Sequence, residues 1–556
     1  MRPQRERRRH REQISRSHRN QSRNRFSFWR WVRLDLIAGF AALLWLLMRS
    51  GFKPTRLNYP CQQSAFAVAF GALAAPWGAT WCRNRGRGSG RRRAFMTTWL
   101  IAGCALTGLF LFDPFTPDWR YAAPSEAPPD DYRPELYHVP QTRGPVDGSF
   151  GGVDDLVSLM GAYGRKWHRS NTVSRTSGPD GMINRDDVVL IKINTQWPER
   201  GGTNTDVLRG VIHQVLAHPD GFVGEVIVAD NGQGLGDLSR TRNNAEIIEQ
   251  SPQAVVDDFA DAGWAVSTYL WDAIRSVGVN EYDAGDFRDG YVVNNTYDTE
   301  TAIRVSYPKF RTAAGTYVSY RRGVWDDSTQ EYTANRLVVI NLPVLKTHSI
   351  YGVTAAVKNH MGVITQSQGT DSHAGVGRGG LGSVLSEIRM PNLTILDAIW
   401  ILARPGSGPS AAYAVASRRD ELVAGIDPVA LDAWAVKHVL IPQIIHNGYT
   451  YSQYAAAQDP DNPSSTFRRY LDRSMDELLR GNKVVTNRYE TAVLRAWTGD
   501  ADRDGDVDGL DHRSLVDCLS GPALQVGTEC LPASLNSDPY VDLTDAALFQ
   551  ILYTNP

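Results

Sequence analysis

The chain of 556 residues is poor in cysteine and has a formal net charge of only -1. Its five cysteines include neither a CxxC pair nor the Cys/His spacing of a zinc finger, which excludes structural zinc sites of those kinds. A glycine-rich turn, residues 231–236, matches neither the GxGxxG nor the P-loop spacing. That turn has two interpretations: a phosphate-side or metal-side loop after a strand, or a tight loop whose glycines permit positive φ.

The near-zero net charge hides an arginine-rich N-terminus and an aspartate-rich C-terminus. Residues 1–33 carry many arginines directly before an apolar run. We interpret them as a basic cytoplasmic tail that sets membrane topology rather than as a nucleic-acid-binding arm, so no nucleic-acid partner is expected.

Three apolar segments follow the tail, and a second basic block, residues 83–93, separates the last two. Each segment is near the lower length limit for crossing a hydrocarbon core of ~30 Å. We predict a transmembrane region over residues 34–112, made of segments 34–48, 65–81 and 95–112. With both basic blocks in the cytoplasm, the protein is expected to be a multi-pass membrane protein with an extracytoplasmic large domain. If the middle segment is instead interfacial, the placement of the large domain reverses. A proline-rich linker, residues 113–145, follows.

Residues 146–495 combine apolar strand-like runs with helical periodicity, which is typical of an α/β domain. The short alternating runs of residues 291–335 are rich in Tyr, Val and Thr and predict inserted antiparallel hairpins. The predicted fold class is α/β: a mostly parallel sheet flanked by helices, with a β-rich insertion. N-terminal transmembrane helices and a small all-α calcium-binding module, residues 498–556, complete the prediction. The predicted strands of the sheet are 188–194, 225–230, 337–340 and 393–397.

Polar side chains lie at or just after the ends of these strands. In an open α/β sheet the carboxyl ends of parallel strands meet at one edge, where ligands bind. Lysines together with hydroxyl and amide groups can offset the desolvation of a phosphate or carboxylate. The predicted catalytic residues are Lys346, His348 and Lys358. The predicted ligand-binding residues are Lys192, Asn194, Thr203, Asn204, Asp230, Thr354, Asn359 and Asp397.

Several of these residues have candidate roles. His348 is the candidate general acid or base, and a desolvated lysine is the candidate proton carrier or carboxylate anchor. Asp230 and Asp397 are candidate ligands of a divalent cation. Asp427 is expected to cap the helix that begins at Pro428, whereas Asp432 inside that helix can face either solvent or the cleft.

The segment NLPVLKTH, followed by GVTAAVKNHMGV, resembles the DUF362 family, a domain of poorly defined function. Three further pieces resemble the family in the expected order, so the resemblance extends over residues 153–440. Those pieces are 188–216, 226–234 and 391–440. Many members carry a ferredoxin-like cysteine cluster, and this chain has none, so no iron–sulfur cluster is expected and the cofactor of the α/β domain is unknown.

Residues 500–511 have the pattern of a calcium-binding loop. Oxygen ligands fall at loop positions 1, 3, 5, 9 and 12 and Gly505 stands at position 6, as an EF-hand loop requires. An aspartate at position 12 resembles dockerin-type loops. A second copy, residues 534–545, has Ser534 at position 1 and Pro539 at position 6, which makes its occupancy by calcium doubtful. The predicted calcium ligands are Asp500, Asp502, Asp504, Asp506, Asp508 and Asp511.

A disulfide between Cys518 and Cys530 is expected to close the short spacer between the two loops and to require an oxidising compartment.

Together these features predict a membrane-anchored, exported domain that binds or transforms a small anionic ligand, with a dockerin-like module that binds Ca²⁺. Whether the domain is an enzyme stays open. The alternative is a non-catalytic surface scaffold that docks a protein partner through its dockerin-like end.

Overall fold

The computed structural model describes residues 132, 134–140, 142–146, 148–296, 298, 300–368, 372–488, 493–495, 507–522, 524, 530, 533, 535 and 540–553. No helix within these residues is long and apolar enough to cross a membrane. The predicted transmembrane helices and the predicted multi-pass membrane localisation are therefore corrected, because the structure supports neither. The apolar segments 34–48, 65–81 and 95–112 lie outside the described residues. Each is shorter than the ~20 residues that a spanning helix usually needs.

The strands are short and several are interrupted by turns. In chain order they are β1 (Leu136–Val139), β2 (Pro145–Val146), β3 (Ser149–Phe150), β4 (His168–Arg169), β5 (Ser177–Gly178), β6 (Val188–Lys192), β7 (Glu225–Asp230), β8 (Val266–Leu270), β9 (Gly290–Val293), β10 (Ser306–Arg311), β11 (Tyr317–Ser319), β12 (Gly323–Asp326), β13 (Glu331–Thr333), β14 (Leu337–Asn341), β15 (Val344–His348), β16 (Gly352–Thr354), β17 (Leu393–Leu402), β18 (Ser417–Gly425) and β19 (Val493–Arg495).

The helices flank the strands or follow them. They are α1 (Gly151–Ala162), α2 (Thr205–Leu216), α3 (Pro252–Asp261), α4 (Ala356–Asn359), α5 (Ser372–Val376), α6 (Gly380–Glu387), α7 (Pro428–Ala435), α8 (Ile441–His446), α9 (Tyr451–Tyr454), α10 (Thr466–Arg480), α11 (Gly509–Cys518) and α12 (Leu543–Leu552).

The main sheet is mixed and has the order β19-β1-β18-β17-β14-β6-β7-β8, with β15 paired to β17 and β16 paired to β15. From β17 to β8 the neighbouring strands are parallel, as the sequence predicts. Beyond β17, β18 is antiparallel to both β17 and β1, and β19 is parallel to β1. The sequence-predicted strand 393–397 is too short, because β17 continues to Leu402.

Alternation along β6 explains how the main sheet is covered on both sides. Val189 and Ile191 pack with α1 and α2, whereas Val188 and Leu190 pack with residues of β9, β10 and β11. Successive side chains of a strand point to opposite faces, so one face of the sheet meets the helices and the other meets the inserted strands. Because both faces are buried, β6 is apolar until its last residue, Lys192.

The inserted strands form the antiparallel sheet β13-β12-β11-β10-β9, as the alternating pattern of residues 291–335 predicts. Its inner side chains include Tyr291, Phe310 and Val318, which belong to one core with Leu190 of the main sheet. The insertion is therefore a cover over the face of the main sheet on which Lys192 lies.

The described C-terminal residues form a small core of their own from Val507, Leu515, Ala533, Val541 and Phe549. Both α11 and α12 begin with a capping box, in which an aspartate three residues into the helix accepts from the N-cap amide. The helix α11 begins at Gly509, directly after the first predicted calcium ligands, because Asp508 acts as its N-cap.

Candidate functional site

The parallel strands place Lys192, Asp230 and Asn341 beside one another at the carboxyl edge of the main sheet. Lys192 lies opposite Asn341 in β14 and opposite Ala229 in β7, one residue before Asp230. Three strand ends thus bring an ammonium, a carboxylate and an amide to one place, which agrees with the rule that the carboxyl ends of parallel strands meet at one edge.

Lys192 has three oxygen contacts inside the protein. Its Nζ donates to the carbonyl oxygens of Ile193 at 3.0 Å and Asn359 at 2.5 Å and forms an ion pair with Asp230 Oδ1 at 2.9 Å. An ammonium has three protons, so two hydrogen bonds and one ion pair match its capacity. Burial lowers the pKa of Lys192, and the charge of Asp230 opposes that shift. The contacts of Lys192 therefore link the ends of β6, β7 and α4.

Lys346 is fully buried and has far fewer partners. Its Nζ donates to the carbonyl oxygen of Gly201, in the loop between β6 and α2. Burial lowers the pKa of Lys346 well below its ordinary value, and the positive charge of Lys358 adds to the effect. The charges of Asp230 and Asp397 raise the pKa of Lys346, so both acids and Lys358 lie close enough to affect it.

Lys358 lies in the short helix α4 and is 6% exposed. Its Nζ donates to the sulfur of Met361 at 3.1 Å and lies 5.8 Å from the ring centroid of Tyr351. No ion pair joins it to a carboxylate among the described residues. Burial lowers the pKa of Lys358 to about 7. Lys192, Lys346 and Lys358 are named the lysine cluster below.

Asp432 of α7 fixes the helix that carries Lys358. Its Oδ1 accepts from the backbone N–H of Ala356 at 2.7 Å, and its Oδ2 accepts from that of Val357 at 3.0 Å. Burial raises the pKa of Asp432 to about 7. Of the two orientations open for Asp432, the structure has the inward one, where the carboxylate satisfies the first amides of α4.

His348 is neutral in this environment. Its Nδ1 accepts from the backbone N–H groups of Ile350 at 3.0 Å and Tyr351 at 3.2 Å, so its single proton is on Nε2. Burial lowers the pKa of His348 well below its ordinary value, and the charge of Lys358 contributes. This arrangement favours a hydrogen-bond donor over a general base near neutral pH.

Asp230, at the end of β7, and Asp397, which lies inside β17 and not at its end as the sequence predicts, already accept hydrogen bonds from the protein. Asp230 Oδ2 accepts from the N–H and the hydroxyl of Thr195 at 2.8 and 3.0 Å. Asp397 Oδ2 accepts from Asn204 N at 2.9 Å and from Asn244 Nδ2 at 3.2 Å. Burial raises the pKa of Asp397 to about 7. In the part of the chain that the structure describes, no group of three or more His, Cys, Asp or Glu side chains has the arrangement of a metal site.

The other predicted ligand-binding residues divide into two groups. Thr203 and Asn204 have structural partners, because Thr203 Oγ1 donates to Leu342 O at 2.9 Å and Asn204 Oδ1 caps α2. In contrast, three buried oxygens find no hydrogen-bond partner among the described residues. They are Asn194 Oδ1, Thr354 Oγ1 and Asn359 Oδ1.

The glycine-rich turn 231–236 supports the site from outside. Asp272 accepts from the N–H groups of Gly232 and Gly234, and Gln233 Nε2 donates to the carbonyl oxygens of Met361 at 2.8 Å and Ile364 at 2.7 Å. Gly234 has φ +89°. The observed turn therefore matches the interpretation as a tight loop with positive φ.

The sequence did not indicate that Arg200 lies at the site, and it did not indicate which groups Asp432 contacts. Arg200 lies 4.1 Å from the ring centroid of Trp400, and its Nη1 donates to Asn244 Oδ1 at 3.1 Å, beside Asp397. No local signal marks Arg200 within the run PERGG. The partners of Asp432 lie more than seventy positions earlier in the chain.

Of the predicted calcium ligands, Asp508 and Asp511 are described, whereas Asp500, Asp502, Asp504 and Asp506 lie outside the described residues. Asp508 N–H donates to Asp511 Oδ2 at 2.8 Å, and Asp542 N–H donates to Asp545 Oδ2 at the same distance. Cys518 and Cys530 form a disulfide.

Comparison with known protein families gives one match. Residues 329–437 match the family described as a domain of unknown function, DUF362. The matched region is shorter than the sequence resemblance of residues 153–440. It contains Lys346, His348 and Lys358 but not Lys192 or Asp230, and its description names no reaction.

No curated protein and no solved structure matches the chain.

Proposed function

We propose that the lysine cluster binds a small anionic ligand, such as a phosphate or a carboxylate. The observation that carries the proposal is an imbalance between donors and acceptors. Lys192 has three acceptors, whereas Lys346 and Lys358 have one polar contact each among the described residues. In their charged forms each of these two lysines retains two donors for an incoming anion.

The nearby acids do not remove this imbalance. Asp230 is engaged by Lys192 and Thr195, and Asp397 by backbone and amide donors. An anion that enters between Lys346 and Lys358 would stabilise their charged forms and so offset part of the desolvation that lowers their pKa values. Thr354 lies opposite Lys346 in the β15–β16 pair, and its buried hydroxyl, which has no hydrogen-bond partner among the described residues, is a further donor for an anion.

The test is calorimetric titration of the purified protein with inorganic phosphate. Lys346→Met and Lys358→Met, which keep side-chain length and remove charge, are expected to weaken binding at least ~10-fold, as loss of a charge-assisted hydrogen bond implies. Lys309→Met is the matched control, because Lys309 is equally buried but belongs to the inserted sheet, where it donates to the carbonyl oxygen of Asp286. Equal affinity in all variants would refute the proposal.

We further propose that the C-terminal module binds Ca²⁺ through its first loop, residues 500–511. The supporting observation is that Asp508 and Asp511 begin α11 with the same capping geometry that Asp542 and Asp545 give to α12. These pairs occupy positions 9 and 12 of the two sequence patterns, as expected if the loops are a repeated calcium-binding motif. Docking of a protein partner is the alternative use of the same module.

Titration with Ca²⁺ tests this second proposal. Asp504→Asn in the first loop is expected to abolish binding, and Asp538→Asn in the second loop is expected to leave it unchanged, because the second loop has proline at position 6. If Asp504→Asn and Asp538→Asn both still bind Ca²⁺, the first loop is excluded as the site.

A further inference from the structure

The environment of Lys358 differs from that of the other buried lysines. Lys192 is paired with Asp230, and Lys309 lies 4.1 Å from the ring centroid of Tyr282, close enough to Asp286, Glu281 and Asp289 for their charges to favour its ammonium form. Lys358 instead contacts a thioether and an aromatic ring. A thioether is a weak acceptor, so it stabilises an ammonium poorly.

The position of Lys358 is fixed and lies at the outer side of the lysine cluster. Lys346 and Lys192 are 0% and 1% exposed, whereas Lys358 is 6% exposed and neighbouring Met361 is 9% exposed. Asp432 holds the first amides of α4, and Lys192 holds the carbonyl of Asn359 at its end. Lys358 therefore belongs to a helix that is anchored at both ends, and it lies close enough to Lys346 for its charge to act on that lysine.

We propose that Lys358 forms an imine with the carbonyl carbon of a small 2-oxo acid whose carboxylate is held by Lys346. The inference rests on the proposed anion binding and names the class of ligand. A desolvated amine beside another cationic group is the arrangement that makes a lysine nucleophilic. A 2-oxo acid has a carboxylate for Lys346 and an adjacent electrophilic carbon for Lys358.

The step needs no oxidant or reductant. The amine lone pair forms the C–N bond as the carbonyl π bond breaks, and one N–H proton passes to the oxygen, which gives a carbinolamine. A proton from solvent then allows the hydroxyl group to leave as water, and the nitrogen lone pair forms the C=N bond of a protonated imine. His348, neutral with its proton on Nε2, is the nearby hydrogen-bond donor for the carboxylate or the carbinolamine oxygen.

Reductive trapping tests the proposal. The purified protein is incubated with pyruvate and cyanoborohydride at pH 7, and modified lysines are mapped by peptide mass spectrometry. Lys358 is expected to be modified at least ~100-fold faster than Lys437, because at that pH an exposed lysine is almost wholly protonated. Lys437, whose side chain is 38% exposed, is the accessible control and Lys309 the buried one.

A second carbonyl compound separates the roles of the two lysines. Lys346→Met is expected to slow the reaction of Lys358 with pyruvate at least ~10-fold more than its reaction with acetaldehyde, because acetaldehyde has no carboxylate for Lys346 to hold. Lys358→Met is expected to remove the mapped adduct for both compounds.

The outcomes for the two proposals are distinguishable. Pyruvate binding measured by calorimetry without reductant, together with no adduct at Lys358 from either compound, would overturn imine formation and leave anion binding intact. Modification of Lys358 no faster than that of Lys437 would also overturn it. Absence of pyruvate binding and of an adduct would overturn imine formation, and absence of phosphate binding as well would overturn both proposals.

Discussion

At the scale of single residues, Gly362 is the position where one added carbon would disturb the site most directly. A Cβ built there lies 2.2 Å from Asp230 Oδ1 and 2.5 Å from Lys192 Nζ. Gly362→Ala is expected to separate this ion pair and to lower the free energy of unfolding by about 1–3 kcal/mol, the usual cost of overpacking. Urea unfolding and phosphate titration measure the two effects.

Gly144→Ala is the matched control for Gly362→Ala. A Cβ at Gly144 meets no atom within 4 Å, and neither glycine has the positive φ that would strain an alanine. If both variants unfold at the same urea concentration, the close approach at Gly362 has no energetic consequence. The ion pair between Lys192 and Asp230 is then not required for stability.

The pKa of Lys358 gives anion binding a pH dependence with a definite sign. Burial lowers that pKa to about 7, so the amine of the free protein loses its proton as the pH rises through 7. A bound anion favours the ammonium and raises its pKa, so binding above pH 7 takes up a proton. Affinity for sulfate, whose own charge is constant in this range, is expected to fall by up to ~10-fold per pH unit between pH 7 and 9.

Calorimetry in buffers of different ionisation enthalpy measures that proton uptake. Lys309→Met should retain the pH slope, whereas Lys358→Met should make it shallower and lose most of the affinity. An unchanged slope in Lys358→Met would assign the titration to another group, such as Lys346.

At the scale of secondary-structure elements, the short helix α4 depends on a contact from α7. Asp432→Ala would leave the amides of Ala356 and Val357 without an acceptor, which costs about 1–3 kcal/mol for buried donors. Because α4 carries Lys358, we expect this variant to lose anion binding as well as stability. Thermal unfolding and phosphate titration distinguish the two losses.

Asp427→Ala is the control for this prediction. Asp427 is equally buried and caps α7 itself, accepting from Val429 and Ala430, but it has no hydrogen bond to α4. The Asp427→Ala variant should therefore be destabilised by a similar amount and should still bind phosphate. Loss of binding in both variants would mean that the integrity of α7, and not the carboxylate of Asp432, maintains the site.

The elements that the sequence predicts well are those in which a local rule acts without competition. Asp427 before Pro428 is confirmed as an N-cap, and the alternating insertion is confirmed as an antiparallel sheet. The sequence did not predict β15, because it begins directly after Pro343 and owes its strand conformation to pairing with β16 and β17. Such pairing joins residues distant in the chain and leaves no local pattern.

The same distinction holds for the candidate site. The positions of the predicted strand ends indicated that lysines and acids would lie at one edge of the sheet. In the structure, Lys346 is close enough to other charged groups for their charges to affect its pKa. Those groups are Lys192, Asp230, Lys358 and Asp397, and Lys192 also pairs with Asp230. Which lysine is already satisfied could not be predicted, because the three acceptors of Lys192 come from three separate segments. The hydrogen-bond partners of Asp432 could not be predicted either, because they also lie in a distant segment of the chain.

At the scale of the whole molecule, the described residues divide their apolar contacts between large cores around the main sheet and the small C-terminal core of Val507, Leu515, Ala533, Val541 and Phe549. These cores share no residue. The small core has few members, and the disulfide between Cys518 and Cys530 closes a loop with a sequence separation of 12 beside it. We therefore expect the stability of the two regions to respond separately to reduction.

Removal of the disulfide tests this separation. Cys518→Ser combined with Cys530→Ser releases a short loop and is expected to destabilise the C-terminal module by ~3 kcal/mol, through the greater entropy of its unfolded chain. Hydrogen exchange measured by mass spectrometry should then accelerate ~100-fold in α11 and α12, which is what such a loss gives when exchange follows local opening. Peptides from β6 and β7 are the internal control, because their packing lies in the other cores. If exchange in β6 and β7 accelerates equally, the module and the α/β region unfold as one unit, and the disulfide stabilises the lysine cluster as well.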